Sequence, residues 1–172
     1  MSTIRGLRGD DVAARDGVVG SVEDVVFDQA SWAVRYLVVD TGAPGRRLLV
    51  PPAAVERGLS GKHKLRLGLT AEQLEGSIVE QADEERLTSG TEVIGYRIEA
   101  RDGALGEVQD LIVDEDAWAI RDVVVDTRPW WPGGHVQVHP AYVERIDREA
   151  RKVHLRLTRE QVKRSGAVTP RR

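Results

Sequence analysis

Apolar and polar positions along the chain follow two rhythms, each written twice. Val22 to Phe27 and Val108 to Val113 are runs of β-formers, and Val34 to Val39 and Ile120 to Val125 are runs rich in β-branched residues that end in Asp-Thr. Leu37-Val38-Val39 and Val123-Val124-Val125 are apolar at successive positions, which predicts central strands covered on both faces. Leu48 to Val50 and Val136 to Val138 read as further strands, each stopped by proline, which cannot donate to a ladder. Leu65-Arg66-Leu67 and Val153 to Leu157 alternate apolar with polar, as a half-buried strand does. Thr70-Ala71-Glu72-Gln73 and Thr158-Arg159-Glu160-Gln161 then carry a capping-box pattern that predicts a short helix after each.

These paired elements belong to an internal repeat. A shift of 86 lays Ala14 to Thr41 over Ala100 to Thr127 with 15 of the 28 positions identical, among them Gly17, Gly20, Asp24, Asp28, Trp32, Arg35 and Asp40. After a two-residue insertion the register resumes at 88, where Pro52, Val55, Glu56 and Arg57 fall on Pro140, Val143, Glu144 and Arg145. Asp16-Gly17 and Asp102-Gly103 are turn dipeptides whose glycines can take positive φ. The expected organisation is a first domain over 1–80, a linker over 81–90 and a second domain over 91–172. The fold class is mainly β, with each copy a small, strongly bent sheet or barrel carrying a short C-terminal helix.

The unit D-G-x-x-G-x-V-x-D, a D-x-x-x-W-A-[VI]-R run into V-V-D-T, a V-x-P-A-x-V-E-R tract and a terminal L-T-x-E-Q resemble the PRC-barrel family. The carrying residues are Gly17, Gly20, Asp24, Asp28, Trp32, Arg35, Asp40, Pro52 and Thr70 with their second-copy equivalents. The resemblance implies two tandem small β-barrels like those in the cytoplasmic part of the photosynthetic reaction-centre H subunit and at the end of a ribosome-maturation factor. It implies assembly and protein contact, not a reaction. Because the sequence shows neither the membrane helix of the H subunit nor the separate N-terminal barrel of the maturation factor, direct membership of a photosynthetic complex and work on rRNA are not expected.

Composition narrows the function classes. The chain has no cysteine, which removes disulfides, thiolate metal sites and a cysteine nucleophile together. A formal charge of -3 argues against general nucleic-acid binding, which needs a basic footprint. No apolar stretch approaches a membrane span, so a soluble cytoplasmic protein is expected. Between Arg145 and Arg172, however, ten Lys or Arg stand against three acids, and a basic end suits docking on an acidic partner or peripheral contact with an anionic surface.

Candidate chemistry is sparse. The repeated acids Asp24, Asp28, Asp40, Asp110, Asp114 and Asp126 invite a divalent cation, but strand-end aspartates commonly bond turn backbone, and turns with salt bridges are the expected use. His135 and His139 flank a three-residue strand segment, too far apart for one metal. No nucleophile elbow or phosphate loop is present, so no catalytic residue, cofactor or metal is assigned and the chain is read as non-catalytic. Trp32 and Trp118 are expected to pack on the barrels. Trp130 and Trp131 sit in the second-copy insertion between Pro129 and Pro132, and are read either as a partner contact or as a lid on the other copy. The candidate partner-binding residues are Trp130, Trp131, Arg156, Arg159, Lys163 and Arg164. The expected function is a protein-binding or scaffolding module with an unidentified protein partner; the alternative is a membrane-peripheral subunit of a larger assembly, photosynthetic or stress-related. The two barrels are expected to pair within the chain about a pseudo-twofold axis, with a homodimer through the tryptophan loop left open.

Overall fold

The computed structural model describes residues 1–44, 46–56, 64–76, 87–128 and 134–165. Two sheets and a few short helices account for them, so the protein is mainly β, as the repeated strand patterns require.

The chain opens with β1 (Ser2–Thr3) and α1 (Ile4–Leu7), followed by β2 (Asp11–Ala14), β3 (Gly17–Asp28), β4 (Val34–Asp40), β5 (Arg47–Val50), β6 (Lys64–Arg66) and α2 (Ala71–Gly76). The second half follows the same order with one strand more: β7 (Leu87–Ser89), α3 (Gly90–Val93), β8 (Arg97–Ala100), β9 (Gly103–Asp114), β10 (Ala119–Asp126), β11 (His135–Val138), β12 (Val143–Asp147), where the described residues of the first half have only the isolated bridge of Val55 to Leu67, then β13 (Lys152–Leu155) and α4 (Arg159–Ser165). One sheet runs β5-β4-β3-β2-β6 and the other β11-β10-β9-β8-β13-β12. In both, a parallel pair brings the last strand beside the first: β2 with β6, and β8 with β13. The Asp-Gly turns take the predicted conformation, with φ of 142° at Gly17 and 143° at Gly103. The capping boxes close reciprocally, Thr70 and Thr158 accepting from the amides of Gln73 and Gln161 while each glutamine accepts in return.

The halves exchange their opening elements. β1 pairs with β9 in the second sheet, and β7 pairs with β3 in the first. The segment 81–90, read from sequence as a linker, therefore ends in a strand and the start of a helix; residues 81–86 lie outside the described ones. β3 and β9, at 12 residues each, are long enough to hold two partners on one side: their own neighbouring strand first, then the strand delivered by the other half.

The repeated acids Asp24 and Asp110 secure this exchange. Asp110 accepts from the amide of Ile4 at 3.1 Å, and Asp24 from the amide of Thr91 at 3.0 Å and from the Ser89 hydroxyl. Each carboxylate thus satisfies orphan donors at the start of the helix that crosses from the opposite half. Asp28 and Asp114 each bond two turn amides and an arginine, Arg35 or Arg121, and Asp40 and Asp126 bond turn amides. All six acids serve backbone turns, helix starts or ion pairs, in line with the structural use expected of them.

Between the halves Ala33 bridges Ala119, with Val34 N-H donating to Trp118 O and Ile120 N-H to Trp32 O, both at 2.8 Å. Trp32 and Trp118 reach this contact with φ of 61° and 49°, a conformation bulky residues seldom adopt. Packing holds it: Trp32 stacks on Phe27 at 5.1 Å, and Trp118 lies partly buried against the core. The halves touch by strand exchange and these hairpin tips, not through the outer faces of β4 and β10, where Val38 and Val124 remain half-buried. One continuous core spans both halves, from Ile4 and Val25 to Leu111 and Val162.

Candidate functional site

Helix α4 closes the second half with Val162 fully buried beneath it and Asp102 accepting from the Arg159 amide at 2.9 Å. Its outer surface presents three of the sequence-predicted residues, Arg159, Lys163 and Arg164, and Arg156 lies just ahead of it. They are not equivalent. Arg159 faces the Asp102 carboxylate at 3.7 Å and Arg164 binds Glu160 at 2.9 Å, whereas Arg156 and Lys163 make no ion pair among the described residues. Trp130 and Trp131 lie outside the described residues.

Arg156 does more than decorate the surface, because it lines a cleft of about 500 Å³ where the halves meet. One wall is the β3–β4 turn of the first half, Gln29 to Trp32; the other is the Pro140 to Tyr142 turn with the start of β12, and Ile120 contributes an apolar patch. A smaller hollow of about 240 Å³ continues along β12 to Arg145 and Ile146. Gln29 is fixed at the rim by donating to the Thr88 hydroxyl of the exchanged strand β7.

His139 is oriented by its own backbone. Its Nδ1 accepts from the Ala141 amide at 3.0 Å, which leaves the ring proton on Nε2, available to donate. Close to it on β10 is Asp122, only 5% exposed, with Oδ1 lacking a hydrogen-bond partner. Burial pushes the Asp122 carboxyl above the ordinary value of 3.8, opposed in part by the positive charge of Arg121. An acid raised in the folded state adds stability below its unfolded value and loses it as pH rises through the folded one. Asp122→Asn should therefore be more stable than the parent near neutral pH, with the gain shrinking as pH falls towards the ordinary carboxylate range. Urea denaturation across that range checks this, and a mutant less stable at pH 7 would contradict it.

The repeat separates what the fold needs from what the cleft adds. At the equivalent positions the first half has Pro51 for His139, Gly68 for Arg156 and Tyr36 for Asp122, and the opposing turn has Glu115 and Asp116 for Gln29 and Ala30. Helix α2 likewise has Ala71 where α4 has Arg159. His139, Asp122 and the Gln29–Trp32 wall were not picked out as site residues from sequence. The signal that finds them is a comparison of the copies for positions that differ within equivalent structure. His135 is exposed at the start of β11 and His154 is half-buried on β13, its Nε2 without a partner; no cluster of three metal-ligating side chains occurs among the described residues.

Residues 1–74 match the family model described as PRC-barrel domain, so a PRC-barrel domain lies over the first half. No curated protein matches the chain.

Proposed function

We propose that the protein is a non-catalytic, protein-binding scaffold built from two PRC-like barrels, a first over 1–80 and a second over 91–172, joined by the segment 81–90. The second barrel is inferred from the strand order and the parallel closing pair it shares with the first. The observation that carries the reading is the unequal surface of two otherwise matching halves: the second has Arg156, Arg159 and a free Lys163 where the first has Gly68, Ala71 and Glu75. Cations placed on one copy without a demand from the fold point to an external partner. A cytoplasmic setting fits this reading.

The alternative, a membrane-peripheral subunit akin to the reaction-centre H subunit, would use the same basic end. No helix among the described residues is long and apolar enough to cross a membrane, so attachment would be electrostatic. Each cation near an anionic leaflet contributes about 1 kcal/mol. Of the eight described cations between Arg145 and Arg164, Lys152, Arg159 and Arg164 are paired with Glu99, Asp102 and Glu160, and attachment by charge alone would be screened by salt. The mixed apolar and polar walls of the cleft favour a protein partner.

The test is a photo-crosslinking residue placed at Lys163 or at the exposed Tyr142, with the exposed Leu49 of the first half as control, in the native cell. Discrete protein adducts at the second-half positions and none at Leu49 are the expected result. No adduct from either second-half position rejects the reading.

A further inference from the structure

We infer that the cleft between the Gln29–Trp32 turn and the Pro140–Arg145 segment binds an acidic peptide. One carboxylate is held by Arg156 and His139, and a neighbouring apolar side chain packs on Trp32 and Val143. The inference rests on the protein-binding reading and narrows it to one site and one partner chemistry.

Three observations carry it. The donors are unspent: Arg156 has no ion pair among the described residues, the adjoining hollow ends on Arg145, which has none either, and His139 directs its only accepting nitrogen to its own backbone, leaving Nε2-H free. A guanidinium fork with a nearby imidazole donor suits a carboxylate. Against these stands the single lining carboxylate of Glu144, which forms no ion pair with Arg156. The walls are mixed, with Trp32, Ile120 and Val143 supplying apolar contact, so the site suits a carboxylate borne on a peptide with an apolar neighbour better than a bare anion.

The third observation is the internal control supplied by the repeat. The first half builds the same 3-10 turn, Pro52–Ala54, and the same antiparallel bridge, Val55 to Leu67, with Pro51 and Gly68 in place of His139 and Arg156. Its opposing turn carries Glu115 and Asp116. Neither His139 nor Arg156 is needed to make the fold, and only the cleft that has them lacks acids on its opposing turn.

Nuclear magnetic resonance on the full chain at low salt tests this through the imidazole signals of His139 and the indole signal of Trp32. The probes are a capped Gly-Leu-Glu-Glu-Leu-Gly peptide, its Gly-Leu-Lys-Lys-Leu-Gly counterpart, and inorganic phosphate. The glutamate peptide should shift both signals saturably and the lysine peptide neither. Arg156→Glu should weaken binding at least about tenfold and Arg156→Lys less, while Arg66→Glu, exposed on β6 of the first half, leaves it unchanged. Unchanged dispersion of the remaining spectrum shows that each variant is folded. The inference is overturned if the glutamate peptide leaves both signals in place, if Arg156→Glu binds as the parent does, or if phosphate alone reproduces the full shift and marks a small-anion site. Crosslinks at Lys163 beside a silent cleft would retain the protein-binding reading and reject this one; silence in both experiments rejects both.

Discussion

Ile4→Ala is expected to lower stability by about 3 kcal/mol and to weaken both halves together, although it lies in a four-residue helix at the start of the chain. Ile4 is fully buried. Its Cδ1 lies so close to Gly90 that a Cβ there would sit 2.2 Å from it, and the Val25 carbonyl oxygen would be 3.0 Å away. The side chain therefore fills the junction of α1, α3 and β3, and its removal leaves a cavity that the rigid strands around it cannot collapse. Because β1 and α1 also complete the second sheet, the loss reaches both cores. Urea denaturation should stay a single transition, shifted to lower midpoint, and hydrogen exchange should speed up in β4 and β10 alike. A loss below about 1 kcal/mol, or faster exchange in one sheet only, would contradict the shared core.

A larger effect, about 3–5 kcal/mol, is expected from Gly106→Ala or from its counterpart Gly20→Ala. Here the obstacle is backbone. A Cβ at Gly106 would lie 2.2 Å from the Asp126 carbonyl oxygen, and one at Gly20 would lie 2.1 Å from that of Asp40. No rotamer change relieves such a contact, so β9 must move away from β10, or β3 from β4, in the most extensive pairing of each sheet. Gly68→Ala is the control, since its nearest neighbour is the Glu56 side chain at 3.5 Å, an ordinary contact, and its effect should stay within about 1 kcal/mol. Thermal and urea denaturation of the three variants measure the contrast. A mild Gly106→Ala would mean that the strand crossing is looser than described.

These two results also mark how far the sequence can be read. Gly20 and Gly106 stand in the identical block of the repeat, while the positive φ of Gly17 and Gly103 and the capping boxes Thr70–Gln73 and Thr158–Gln161 act within a turn, so these last roles are legible from local chemistry. The exchange of β1 and β7 is not. Between 2–10 and 88–96 only Gly9 and Gly95 are identical, and strands of two and three residues carry no period. What fixes them is hydrogen bonding to Asp110 and Asp24, over a hundred residues away in one case and 65 or more in the other. The cleft was hidden for a related reason: Trp32 and Arg156 come from different halves, and similarity between the copies draws attention to what they share rather than to His139 against Pro51. Of the partner residues proposed from sequence, Arg156 lines the cleft, Arg159, Lys163 and Arg164 share α4, and Trp130 and Trp131 fall outside the described residues.

Ile4 and Gly90 occupy the same position of the repeat, yet one is a plug and the other the space that receives it. Two copies of the first half swapping strands would bring isoleucine against isoleucine; two copies of the second would set glycine against glycine over a void. Each half is in this way shaped for its opposite rather than for a copy of itself, so the packing between them is directional.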